Sequence, residues 1–224
     1  MPFAESPQRE FAAATEWAAG RTLDALTGAE GAALPAPAAP EPQALLAGVR
    51  VLGPDVFAPT LLTGVPTPPE TAELAAQAFR LFPSDESGIH VWRDRATAEL
   101  LSLAGYPVLA PPPPPPPDPG EDGWQHWSVR MAQLSCLALP TLDGPVHRLA
   151  HQHPLALARG AARAVLRRDH RTAARLVRWL AWLQHTGTPS ALELPPLLGQ
   201  LALTGDGTAR SALDLAVAQH LAAA

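Results

Sequence analysis

Arg159, Arg163, Arg167, Arg171 and Arg175 recur every fourth residue, and Arg178 falls in the same arc. On one continuous helix they would form a basic stripe, opposite Ala158, Ala162, Val165, Leu166, Ala173, Leu176, Leu180 and Leu183. Guanidinium groups so arranged are suited to carboxylates and phosphates. The stripe therefore points to an acidic surface, on a partner, on a second copy or in the N-terminal half of this chain. Asp169 would fall within the apolar face, so the spacing predicts a break near Asp169-His170 and two helices of a hairpin. Nucleic-acid binding is a further reading of the same residues. The net charge of −5 and the lack of interleaved aromatic and Gly-rich recognition motifs make it the weaker one.

The second chemical constellation is Asp143, His147 and His151, spaced by four within Asp143-Gly-Pro-Val-His147-Arg-Leu-Ala-His151-Gln-His153. On one helical face these three could hold a divalent metal ion such as zinc, with His153 and His126 as further ligands. That gives the alternative function, a metal-dependent hydrolase or metal-binding protein. Against it, no Glu follows the first His, Gly144-Pro145 makes Asp143 a helix cap, and Pro154 stops the helix at once. Ser135-Cys136 near His126 suggests covalent catalysis only superficially. The thiol lies among Leu134, Leu137 and Leu139, where burial would make it inert. GxSxG, GxxxxGK and GxGxxG are all missing, so no residue is named as catalytic. Asp85-Glu86 and Glu121-Asp122 read as loop acids.

The elements that must position these groups are mainly helical. Pro111 to Pro117 divides the chain into residues 1–124, with charge −10, and residues 125–224, with charge +5. The expected organisation is an acidic region over 1–110, a proline-rich linker over 111–123 acting as a polyproline II strut, and a basic helical domain over 124–224. In the first region, Ser6-Pro7 opens a helix over about 7–26. Thr67 and Glu70 form a capping box for a helix to about Phe82, and Arg95 to Ala104 is a further helical stretch. Gly31 to Pro42 reads as a linker. The runs 49–52, 89–92 and 106–109 look like short strands, so a small α/β layer and a wholly helical N-terminal half both stay open.

The second half predicts helices over 124–139, 146–151, 155–168, 172–184, 196–203 and 208–222, with antiparallel neighbours, as an Arg-rich bundle or a short helical-hairpin array. The array reading rests on a turn-then-helix echo at Leu166 to Arg175 and Leu203 to Arg210, 37 residues apart.

Cys136 is the only cysteine, which excludes an intrachain disulfide and suits a reducing compartment. The first residues, Met1-Pro2-Phe3-Ala4-Glu5, lack the basic and apolar segments of a secretion signal. Apolar stretches such as Leu176 to Leu183 fall far short of the roughly 20 residues a membrane span needs. Lysine and asparagine are missing and isoleucine occurs once, the codon bias of a GC-rich, bacterial genome. A cytoplasmic, non-enzymatic protein-interaction or scaffold module, without membrane contact, is the expectation.

Overall fold

The computed structural model describes residues 7–29, 32, 34, 39–83, 88–120 and 123–223, and these form helices and irregular segments. The expected Ser6 cap and the pairs Asp85-Glu86 and Glu121-Asp122 lie outside the described residues. In chain order the α-helices are α1 (Pro7–Leu26), α2 (Pro42–Leu52), α3 (Ala58–Thr63), α4 (Pro69–Leu81), α5 (His90–Leu103) and α6 (Gly123–Gln133). They continue as α7 (Pro145–Gln152), α8 (Pro154–Leu166), α9 (His170–His185), α10 (Leu194–Thr204) and α11 (Ala209–Ala223). Short 3-10 turns cover Gly53–Phe57 and Ser135–Leu137.

The strand expectation is overturned among the described residues: 49–52 ends α2, 90–92 begins α5, and 106–109 is irregular. Two of the runs that suggested strands, 49–52 and 89–92, belong to the ends of longer helical patterns. In α2, Leu45, Leu46, Val49 and Leu52 recur at helical spacing and are all buried. Helix α4 starts two residues after Thr67. Thr67 bonds the Thr60 hydroxyl instead, and no side chain caps α4. The segment read as a linker after α1 packs in part. Leu34 is buried, and both its backbone N–H and its carbonyl bond the Thr71 hydroxyl.

Helix α9 lies at the centre because its sequence is apolar nearly all round. Every residue from Leu176 to Leu183 is buried, with α6, α8, α10 and α11 packed about it. Helices α9 and α11 run in the same direction. His170 meets Thr204, and further along Arg175 and Arg178 meet Asp214. The expected antiparallel pairing therefore does not hold between these two, since α10 makes the return crossing.

The two halves of opposite charge share one hydrophobic core, which runs from Ala18 and Leu45 through Trp127 and Trp179 to Leu221. Two glycines allow close helix approaches within it. A Cβ on Gly48 would stand 2.9 Å from the Ala14 carbonyl of α1, and one on Gly160 would stand 2.5 Å from the Ser128 Cβ of α6.

The proline tract is laid on this core. Pro111 and Pro117 are buried and Pro114 is half-buried, while the prolines between them are exposed. A three-residue repeat of contact is what one edge of a polyproline II helix gives. Arg95 Nη1 donates to the Pro111 carbonyl, and the buried Trp127 Nε1 donates to that of Pro117 at 2.7 Å.

The stretch Pro42–Thr63 is a longer apolar run than expected, 22 residues with mean hydropathy 1.4. By length and composition alone it could cross a membrane. It is two helices joined by a turn, however, and 67% of its most apolar 18-residue window is buried inside the fold.

Candidate functional site

The arginine ladder is divided by the turn between α8 and α9. Arg168 adopts a left-handed conformation (φ 58°), and the Asp169 side chain caps α9 by accepting from the Thr172 N–H. This is the expected break, and it sends the arginines to different places. Arg159 and Arg167 are exposed and Arg163 is half-buried, all on α8 or just beyond it. Arg171 and Arg175 are half-buried on α9. Arg178 is 0% exposed, so it cannot reach a partner.

Arg178 is instead the centre of a buried ionic cluster. Its Nη2 donates to Asp55 Oδ1 at 2.5 Å, its Nη1 to Asp214 Oδ1 at 3.0 Å, and its Nε to the Ala138 carbonyl at 3.3 Å. Ser135 also donates to Asp214 Oδ1, and Arg175 Nε stands 3.6 Å from Asp214 Oδ2. Burial pushes the Asp55 carboxyl above its ordinary pKa, against the pull of Arg178. Burial alone would lower the pKa of Arg178, but Asp55 and Asp214 more than reverse that and hold it charged. The adjoining Cys136 thiol is pushed up to about 12 by burial and then by Asp55, which makes it a poor nucleophile.

Above this cluster lies a cavity of about 210 Å³, lined by Asp55 and Asp214, by His90 and Arg93 of α5, and by Arg175 and Arg210. Arg210 of α11 gives its Nε to Glu16 of α1 at 2.6 Å. A second cluster stands to one side of it: Arg50 makes a two-pronged ion pair with Asp94, donates Nε to the Phe82 carbonyl, and lies 4.7 Å from the centre of the Phe79 ring.

Asp143, His147 and His151 do not assemble a metal site. No group of three His, Cys, Asp or Glu side chains suited to a metal ion occurs among the described residues. Asp143 accepts the Gly144 N–H, but the helix cap expected of it falls on Gly144, and no side chain caps α7. His147 is buried, with Nε2 hydrogen-bonded to the Leu137 carbonyl at 2.9 Å. His151 Nδ1 pairs with the Thr188 hydroxyl at 2.8 Å. The spacing of four does place both imidazoles on one face of α7, but that face meets indoles. His147 lies 5.5 Å from Trp179 and 4.9 Å from Trp182, and His151 lies 4.9 Å from Trp182. His153 meets Trp127 edge-on.

The sequence reading missed Asp55, Arg93, Arg210 and Asp214. A signal existed for the two acids, since each interrupts an apolar run, Gly53-Pro54-Asp55-Val56-Phe57 and Leu213-Asp214-Leu215. A carboxylate in such a run needs a buried partner. Arg93 and Arg210 carry no comparable local mark.

Comparison with known proteins adds no relative: no family model, no curated protein and no solved structure matches this chain.

Proposed function

We propose that the chain is a non-enzymatic interaction module that docks an acidic protein surface on the outer face of α8. The observation that carries this reading is a row of unmatched cations. Among the described residues, no carboxylate pairs with Arg159, Arg163, Arg167 or Arg168. Arg178 and Arg210, by contrast, are matched within the fold.

The same face exposes Leu155 (51%) and Leu166 (85%); Leu166, expected opposite the stripe, follows Arg159 by seven residues and so lies beside it on the helix. Guanidinium groups flanked by exposed leucines combine steering with an apolar contact to desolvate, the pairing that protein interfaces use. The Arg-rich helical half would then serve as a rigid platform in a reducing, cytoplasmic setting. The partner-binding set narrows to Arg159, Arg163 and Arg167 and gains Arg168.

The test is binding to an acidic polypeptide, poly-glutamate as probe, together with sedimentation of the protein alone, each at low and high salt. Binding weakened by salt and abolished by Arg159→Glu, Arg163→Glu and Arg167→Glu together is the expected result. Unchanged binding and assembly in that triple variant would end the proposal.

A further inference from the structure

The cavity over the buried cluster collects three guanidinium groups from three helices, Arg93 of α5, Arg175 of α9 and Arg210 of α11. Two of them hold a donor in reserve. The Nε atoms of Arg93 and Arg175 are buried and make no hydrogen bond, although each faces a carboxylate. Their nearest carboxylates, Asp94 and Asp214, stand at 3.5 and 3.6 Å. One turn before Arg175, the Nε of Arg171 is in the same condition.

Buried N–H groups are almost always paired, and one left without an acceptor loses its water without replacement. Three such donors on neighbouring arginines are unfavourable for the fold by itself. The arginines also repel one another: after burial, Arg175 and then Arg210 lower the pKa of Arg171.

The carboxylates in the wall do not cancel this surplus. Asp55 and Asp214 share the single charge of Arg178, which is fully buried beneath them, and Asp214 also faces Arg175 at 3.6 Å, so the wall keeps one negative charge against the three cavity arginines. Arg210 is matched by Glu16 through its Nε alone. From these observations the geometry points to a binding site for a small oxyanion, the carboxylate or phosphate group of a ligand, held by Arg93, Arg175 and Arg210 with Arg171 beside them. The cavity of about 210 Å³ has room for an anionic head and a short body. Val51, Leu52 and Leu213 would meet the body, while Gln133 and Ser135 offer polar contacts. Fork-shaped donors suit a planar or tetrahedral oxyanion better than a spherical halide.

The site is separate from the outer face of α8, and one titration tests it. Inorganic phosphate and succinate are added separately to the full-length protein at an ionic strength held constant with sodium chloride. The readout is the Nε–H NMR signals of Arg93, Arg171 and Arg175. Saturable shifts with either probe are expected, and the tighter of the two identifies the head group. Arg93→Gln should weaken the affinity at least about tenfold, the loss of one charge-assisted contact. Arg175→Lys, which keeps the charge but removes the fork, should weaken it less. Arg159→Gln with Arg163→Gln on α8 should leave it unchanged, which separates this site from the docking face. The absence of saturable shifts with both probes overturns the inference, and so does an affinity unaffected by Arg93→Gln. The wild-type signals decide the matter even where a variant folds poorly.

Discussion

Replacing Arg178 with Met is the sharpest perturbation the fold allows, because the side chain is fully buried between two carboxylates. Methionine keeps much of the stem's apolar volume, so the loss should be electrostatic. It removes the donors to Asp55, Asp214 and the Ala138 carbonyl at one stroke. Asp214 keeps Ser135 and the nearby Arg175, whereas among the described residues the hydrogen bond to Asp55 comes from Arg178. Breaking a buried pair in this way costs about 3–5 kcal/mol. Asp55 has one escape, which is to bind a proton. From its ordinary pKa of 3.8, that costs about 4 kcal/mol at a pH of ~7, at about 1.4 kcal/mol per unit. The wild type, whose Asp55 pKa is already raised, bears part of that cost, so about 4 kcal/mol is an upper bound on the protonation route.

The sign follows from linkage. Asp55 already has a folded-state pKa above 3.8, so its stability contribution is fully present below 3.8 and is lost as pH rises through the folded value. Without Arg178 that value rises further. The deficit of Arg178→Met relative to the wild type should therefore grow with pH, by up to about 1.4 kcal/mol per unit, and be small near pH ~4. Urea unfolding followed by tryptophan fluorescence measures this. At an m-value of about 3 kcal/mol/M the midpoint should fall by roughly 1–1.7 M near neutrality. Adding Asp55→Asn should recover part of the loss, since it removes the stranded charge. A deficit below about 1 kcal/mol, or one that does not change with pH, would refute the electrostatic account and leave only packing.

Two further outcomes test other contacts. Trp127→Phe removes the donor to the Pro117 carbonyl while keeping an aromatic ring, so it should destabilise the protein by about 1–3 kcal/mol. It should also speed proteolysis across 111–120, and an unchanged cleavage rate would show that the tract is held elsewhere. His147 has its pKa lowered by burial, so its stability contribution is present above 6.5 and is lost as pH falls through its folded-state value. His147→Gln should flatten the urea midpoint against pH below 6.5, and a profile that keeps the wild-type slope would assign that slope to other groups.

Helices with clear apolar spacing were legible to within a few residues: α1, α4 and the five helices from α7 to α11, whereas the helix expected to reach 139 stops at Gln133. Misreadings arose where a local signal had two meanings. A four-residue run such as 49–52 has no period of its own, and only the apolar positions before it in α2 settle the conformation. Spacing also placed His147 and His151 on one face without revealing that the face packs against Trp179 and Trp182, because a ligand face and a stacking face share the same period. The Arg178 error has the same origin. Its register with Arg171 and Arg175 is real, but α9 sinks into the core along its length, so one turn separates a half-exposed cation from a fully buried one.

The opposite charges of the two halves take a different form from the one the sequence suggests. Two charged surfaces docking across a linker would be held by exposed pairs of about 0–1 kcal/mol each, too weak to fix an orientation. Instead the halves share one apolar core, and selected charges pass into it. Asp55 reaches Arg178, and Glu16 meets Arg210 at the edge. Burial makes the Asp55–Arg178 pair costly to form and more costly to break, so its effect is to fix how the N-terminal turn 53–57 sits against α9. That registration also brings Arg93 of α5 to the cavity shared with Arg175 and Arg210. The buried cluster and the candidate anion site are thus one arrangement: Asp55, which orients the halves, is held by Arg178, and the neighbouring Arg93 and Arg175 keep an Nε donor without a hydrogen bond.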